Sequence, residues 1–192
     1  MVLNAHARTA TDRIVIPIGR SLVWFGATPN GLTTFGLIAT FIGAAVVVSG
    51  HHFVGALILA FATATDALDG TVARLQGRVT KWGAFYDSVS DRVSDVVLFG
   101  AAIWLVHEDS LLFIVALIAL GGALLTSYIR AKAEALGWHA TRGLLERAER
   151  VIILIVAIAV GVLPVALWVL AVGAVITVAQ RLREVMLQAA VS

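Results

Sequence analysis

The sequence predicts an all-α integral membrane protein, with six transmembrane helices preceded by an N-terminal amphipathic interfacial helix. Three observations predict it. Of 192 residues, 60% are hydrophobic and only 14% charged, far from the balance of a water-soluble domain. The apolar residues gather into six stretches, at about 31–50, 53–76, 83–106, 111–133, 150–163 and 165–181. Most are close to the roughly 20 residues that cross a hydrocarbon core. The 14 Lys and Arg residues avoid alternate connections altogether.

Residues 4–25 read as the interfacial helix. Ile14, Val15, Ile18, Leu22 and Phe25 recur at helical spacing opposite Arg13 and Arg20. Residues 1–29 are therefore assigned to a juxtamembrane segment and 30–192 to one membrane domain. The first 20 residues lack the continuous apolar run and cleavage site of a signal peptide. Thr28-Pro29-Asn30-Gly31 is a turn signal between the two. His51-His52 forms the next connection, and adjacent histidines on a tight turn point apart, so they read as surface and not as a ligand pair. The second stretch ends with Asp66 and Asp69, and the third opens with Asp87 and Asp91. Pro164 is expected to mark the turn between the last two spans. The five tryptophans mostly fall near span ends, where an interfacial aromatic belt explains them.

Charge sets the orientation. The connections at His51-His52, at His107-Glu108-Asp109 and around Pro164 hold no Lys or Arg. The basic residues lie in the N-terminal segment (Arg8, Arg13, Arg20), around the second-to-third connection (Arg74, Arg78, Lys81, Arg92), around the fourth-to-fifth (Arg130, Lys132, Arg142, Arg147, Arg150) and at Arg181 and Arg183. With six spans all of these share one face. The positive-inside rule then puts both termini and the aspartates on the cytoplasmic side of the cell membrane. The chain has no cysteine, which excludes disulfides and thiolate metal sites. Its net charge of +2 is small, and no nucleic-acid partner is expected.

The chemistry lies in the aspartates. Asp66, Asp69, Gly70 and Ala73 share one helical stripe, since residues three, four and seven apart lie on one face. Gly83, Asp87 and Asp91 do the same on the next helix, and the short connection makes the two helices antiparallel neighbours. An ionised carboxylate near a bilayer costs several kcal/mol unless something neutralises it. Four such groups call for a cation. All-oxygen ligands select Mg²⁺, Mn²⁺ or Ca²⁺ over zinc or copper, and Mg²⁺ is commonly shared between carboxylates and substrate phosphates. Two Mg²⁺ ions, with Mn²⁺ a possible substitute, suit a diphosphate substrate. Arg74 can reach a phosphate oxygen, and Asp91, at the far end of the series, is the natural general base. Asp95 continues that series by one turn, where it can tune the site or pair with Arg92.

Other readings of the same residues exist. The aspartates can form salt bridges with Arg74, Arg78, Lys81 and Arg92, and the small residues can serve helix packing alone. A divalent-cation transporter also buries acids, but as a path across the membrane and not a cluster near one face. A purely structural subunit gives no reason to bury four carboxylates.

Asp66-x-x-Asp69-Gly70-x-x-Ala73-Arg74, eight residues, then Gly83-x-x-x-Asp87-x-x-x-Asp91 resembles the signature of the CDP-alcohol phosphotransferases. Every signature position is filled. The six-span layout and the Thr28-Pro29-Asn30 entry fit as well. The resemblance implies a reaction in which a hydroxyl attacks the phosphorus of a CDP-linked lipid and CMP leaves. It implies that Asp66, Asp69 and Asp87 bind two divalent ions, with Asp91 as further ligand and base. Asn30, Gly70, Ala73, Arg74, Thr80 and Gly83 line the CDP site on this view, and the protein is a homodimer. Direct displacement and a covalent phosphatidyl-enzyme are both compatible with this set.

The second half of the chain bears on the acceptor. Ser127-Tyr128-Ile129-Arg130-Ala131-Lys132-Ala133-Glu134, Glu146-Arg147-Ala148-Glu149-Arg150 and Gln180-Arg181-Leu182 resemble the actinobacterial phosphatidylinositol phosphate synthases of that family. The resemblance implies CDP-diacylglycerol as donor and inositol 1-phosphate, or another phosphorylated polyol, as acceptor. Arg130, Arg150 and Arg181 then hold the acceptor phosphate, with Lys132 beside them, since a dianion wants several convergent cations. Lipid headgroups offer these residues an ordinary alternative, and Glu146 and Glu149 can pair with Arg147 and Arg150. Glycerol 3-phosphate, giving phosphatidylglycerophosphate, is the alternative acceptor because it too carries a phosphate.

Overall fold

The computed structural model describes residues 16–77 and 80–190, with the backbone alone at Ala67. Among them are seven α-helices and no strand. They are α1 (residues 16–24), α2 (Pro29–Val48), α3 (His52–Leu75), α4 (Lys81–Leu105), α5 (Ser110–Ala135), α6 (Arg147–Val160) and α7 (Leu163–Ala189). The rest of the expected amphipathic helix, with Arg8, Arg13, Ile14 and Val15, lies outside the described residues, as does Arg78.

Four helices, α2, α3, α5 and α7, are long and apolar enough to cross a bilayer. α4 and α6 fall outside that group for physical reasons. α4 has the length, at 25 residues, but carries Lys81, Asp87, Asp91, Arg92 and Asp95. α6 has only 14 residues, about 21 Å at 1.5 Å per residue, against a hydrocarbon core of about 30 Å. The outer surface shows Phe35, Phe41, Phe61, Leu117, Val169 and many other large apolar side chains. Such a surface aggregates in water and is at home in lipid. The interior is built largely from small residues, including Ala44, Ala62, Ala102, Ala119, Ala123 and Ala174. Small residues let helices approach closely where lipid removes the hydrophobic drive to associate.

The chain divides into two compact units. Among the described residues, the first holds 16–42, 58–77 and 80–94. Here α2 runs tightly along α3: a methyl at Gly36 would come within 2.9 Å of Thr65 Oγ1 and 3.3 Å of the Ala62 carbonyl. A 2.8 Å hydrogen bond between the hydroxyls of Thr34 and Tyr86 joins α2 to α4. Thr28 and Thr80 cap α2 and α4, accepting from the Gly31 and Gly83 amides at 3.2 and 3.0 Å. Thr28-Pro29 is thus a helix start, with proline in the first turn where its missing N–H is not needed. The expected turn lies just before it, at Phe25-Gly26, with Gly26 at φ 79°.

Among the described residues, the second unit holds 43–57 and 95–190. α5 packs along α7 where a methyl at Gly122 would meet the Ala174 Cβ at 2.6 Å. Asp109 caps α5, its Oδ1 accepting from the Leu111 and Leu112 amides at 3.0 Å. Two expectations change here, and Asp95 shows a partner on another helix. Glu146 and Glu149 form a capping box at the start of α6, Glu149 accepting from the Glu146 amide at 2.9 Å. Asp95 pairs with Arg147 at 3.2 Å. The last turn is made by Gly161, at φ 77°, and Val162, while Pro164 sits inside the first turn of α7.

Candidate active site

In the first unit three carboxylates converge. Asp66 and Asp69 descend from the end of α3 and Asp87 from the start of α4, and one oxygen of each lies within 4.8 Å of the others. Three like charges at that separation repel strongly unless a cation joins them. The all-carboxylate donor set fits a hard divalent ion such as Mg²⁺ or Mn²⁺. Asp91 is not one of the three. It lies one turn further along α4, where its Oδ2 is 3.4 Å from Arg92 Nη2. Asp69 is the buried member, and its Oδ2 accepts a 2.6 Å hydrogen bond from Thr33.

Beside the carboxylates opens a cavity of about 700 Å³. Its lining includes Asn30, Gly70, Ala73, Arg74, Thr80 and Gly83 together with Asp69 and Asp87. Asp66 and Asp91 are outside that lining. The capped ends of α2 and α4 both reach it, through Thr28, Pro29 and Asn30 on one side and Thr80 and Gly83 on the other. Helix N-termini present amide hydrogens and a partial positive charge, which favour phosphate. Arg74 donates to Thr71 Oγ1 at 3.0 Å, which holds its guanidinium on the same wall. The two glycines differ in their reasons. At Gly83 a methyl would sit 3.1 Å from Thr80 Oγ1 and 3.4 Å from Asn30 Oδ1, so protein atoms crowd it. At Gly70 the nearest atom is Arg74 Nη1 at 3.5 Å, an ordinary contact, so packing does not demand glycine and the space belongs to the cavity.

In the second unit Arg150 and Arg181 are buried and meet on one residue of α5. Arg150 Nη1 donates to Thr126 Oγ1 at 3.1 Å and to the Leu145 carbonyl at 3.1 Å. Arg181 Nη1 donates to the Thr126 carbonyl at 2.6 Å, and its Nε to the Arg142 carbonyl at 3.1 Å. Arg130, by contrast, is exposed and pairs with Glu134 at 2.9 Å, one turn along α5. Lys132 is exposed in the last turn of α5. The sequence reading missed Thr33 and Thr126. Each is a threonine inside an apolar helix, and only its partner far along the chain sets it apart from any other.

Comparison with known proteins agrees with this chemistry. The family model for CDP-alcohol phosphatidyltransferase matches residues 26–180. The phosphatidylinositol phosphate synthase of Mycobacterium marinum is 40% identical over 192 residues, covering 93% of this chain and 82% of that protein. Its counterpart from Corynebacterium glutamicum is 38% identical over 193 residues, covering 94% and 88%. Among solved structures, the Mycobacterium tuberculosis phosphatidylinositol phosphate synthase in complex with manganese and citrate superposes with a TM-score of 0.84 at 37% identity, over 90% of this chain and 88% of that one. The same enzyme with CDP-DAG bound gives a TM-score of 0.83 at 38% identity, over 90% and 94%. With a family match over most of its length and close relatives throughout, the chain belongs to the CDP-alcohol phosphatidyltransferase family.

Proposed function

We propose that the chain is a phospholipid-synthesising transferase that moves the phosphatidyl group of CDP-diacylglycerol to inositol 1-phosphate, giving phosphatidylinositol phosphate and CMP. The observation that carries this is the cluster of Asp66, Asp69 and Asp87 beside a 700 Å³ cavity into which the capped ends of α2 and α4 open. Its relatives of 34–40% identity named phosphatidylinositol phosphate synthase support the choice of acceptor.

Asn30, Gly70, Ala73, Arg74, Thr80 and Gly83 bind the CDP moiety. The two helix N-termini and Arg74 receive its phosphates, and the small residues give it room. Asp66, Asp69 and Asp87, with Asp91 at the edge, hold two divalent ions, Mg²⁺ or Mn²⁺. When bound, the metal supplies Lewis acidity at phosphorus and charge neutralisation on the departing CMP. Asp91 takes the proton of the attacking hydroxyl, which is why it belongs at the margin of the carboxylate group and not its centre. Arg150 and Arg181, with Arg130 and Lys132, hold the acceptor phosphate. The burial and shared anchorage of Arg150 and Arg181 support a pre-organised anion site, since guanidinium groups fixed in advance lose little freedom on binding.

Residues 30–192 form a six-helix membrane domain, with α4 and the short α6 as the additional spans. Residues 1–29 form the interfacial segment, supported by the exposure of Ile18, Trp24 and Phe25. Both termini and the active site face the cytoplasm, and the functional unit is a homodimer in the cell membrane. The test is CMP release from CDP-diacylglycerol with Mg²⁺, offering inositol 1-phosphate, inositol or glycerol 3-phosphate separately. Release with inositol 1-phosphate alone is expected. Release with glycerol 3-phosphate instead overturns the acceptor and keeps the aspartate chemistry.

A further inference from the structure

We infer that Thr33 is a positioning residue for the metal site, orienting Asp69 through its hydroxyl; this rests on the reading of Asp69 as a metal ligand. Thr33 Oγ1 lies 2.6 Å from Asp69 Oδ2, and the two residues are 36 positions apart on different helices. Both are more than nine-tenths buried, at 4% and 6% exposure. A separation that short belongs to a hydroxyl donating to a carboxylate.

The same hydroxyl has a rival acceptor. Thr33 Oγ1 is 3.1 Å from the Pro29 carbonyl one turn back. That is the partner a helical threonine ordinarily takes. Two others in this helix do so, Thr34 to the Asn30 carbonyl at 2.8 Å and Thr40 to the Gly36 carbonyl at 2.9 Å. A hydroxyl carries one proton. At Thr33 the shorter contact is the one to Asp69, so the proton goes there and the local bond is the weaker alternative. This threonine gives its proton to a neighbouring helix, where Thr34 and Thr40 give theirs to carbonyls of their own.

The consequence for a ligand is orientational. An aspartate carboxylate turns broadly about its last torsion, and a donor fixed on the neighbouring helix, in the wall of the same cavity, removes that freedom. Partners of this kind tune metal affinity although they never touch the ion. The donor is itself held in place, because Gly36, three residues further along α2, fits closely against Ala62 and Thr65 of α3.

The test reads metal binding without turnover. The full chain, purified in detergent, is titrated with Mn²⁺ and free Mn²⁺ is followed by electron paramagnetic resonance. Thr33→Val keeps the shape and removes the donor, and it is expected to raise the apparent Kd for Mn²⁺ by about tenfold or more, whereas Thr33→Ser, which keeps the donor, stays within about threefold. Thr33→Ala is read alongside, in case the valine crowds Asp69. Asp69→Ala is the control for the underlying site. If Asp69→Ala loses Mn²⁺ while Thr33→Val and Thr33→Ala bind as the parent does, the positioning role is wrong and the metal site stands. If Thr33→Ser weakens binding as much as Thr33→Val, the methyl and not the hydroxyl matters, and the inference is overturned. If Asp69→Ala binds Mn²⁺ normally, the metal reading fails and takes the inference with it.

Discussion

Arg147, the first residue of α6, donates through Nε to Oδ1 of Asp95 on α4 at 3.2 Å, across 52 residues of sequence. The Asp95 side chain is 2% exposed and that of Arg147 26%. Removing one member of a buried pair costs about 3–5 kcal/mol, because the other charge is left without compensation. The two members are not equivalent. Arg147 has a route to water, and Asp95 has almost none. Arg147→Met is therefore expected to lower Tm more than Asp95→Asn does. The double variant should recover part of the loss, since it strands no charge. Thermal unfolding in detergent measures all three, and strictly additive effects would show that the pair is not coupled.

That pair also marks what the sequence could and could not convey. The i,i+4 rule ties Asp95 to Asp91 and offers Arg92 as a neighbour, because a linear reading sees only partners on the same helix. A partner that such a reading cannot see, Arg147, comes from α6. The same limit hid Thr33 and Thr126, which differ from other helical threonines only in what lies across the gap. Local signals travelled well. The Asp66–Asp91 motif brought three carboxylates together because i,i+3 spacing and a short connection leave little choice. The helix starts at Ser110 and Leu163 came within a few residues of the apolar stretches. Glu at an N-cap is an unusual residue for that role, so the Glu146–Glu149 box read as two ion pairs. α7 runs to Ala189, beyond the apolar stretch that ends at 181, because Gln180, Arg181, Arg183 and Glu184 break the continuous apolar run while Leu182, Val185 and Met186 keep the helical spacing.

Asp91→Asn separates base from ligand. Asp91 is outside the group of three carboxylates, so its charge contributes less to holding the ion than theirs. The expected result is near-normal Mn²⁺ and CDP binding, with turnover reduced by about 10²–10⁴-fold, the usual share of a general base. A variant that turns over at the parent rate would remove Asp91 from proton transfer.

Arg150→Ala tests the proposed acceptor site. A charge-assisted hydrogen bond contributes about 1.5–3 kcal/mol, so the KM for inositol 1-phosphate should rise by at least about tenfold, with the KM for CDP-diacylglycerol nearly unchanged. Thr126→Val is the companion variant. It removes the hydroxyl anchor of Arg150 and keeps the guanidinium, and a smaller rise of the same kind is expected. Equal effects on both substrates would place Arg150 in the fold and not in the acceptor pocket.

Gly36 and Gly70 should respond oppositely to an added side chain. Gly36→Val forces branched carbons against Thr65 and the Ala62 carbonyl, and overpacking of this kind costs about 1–3 kcal/mol. It should lower Tm. Gly70→Val meets mostly cavity, so Tm should hold while the KM for CDP-diacylglycerol rises. Both are read from one melt and one donor titration per variant, and a Gly70 variant that unfolds would assign that glycine to packing.

Metal removal gives the last prediction, and stability reports it without reference to turnover. Asp66, Asp69 and Asp87 bring three carboxylate oxygens within 4.8 Å of one another. Without a cation their repulsion opposes the approach of the ends of α3 and α4; with one, it becomes attraction through the ion. A ligand bound only by the folded state stabilises it by about 2.7 kcal/mol at a hundred times its Kd. Treatment with a chelator should therefore lower Tm as well as abolish CMP release. Mg²⁺ or Mn²⁺ should restore both, with Tm climbing as the logarithm of the ion concentration. Asp69→Ala should melt at one temperature whether or not the ion is present. If chelation stops turnover and leaves the parent's Tm unmoved, the ion enters with the nucleotide and is not held by these carboxylates beforehand.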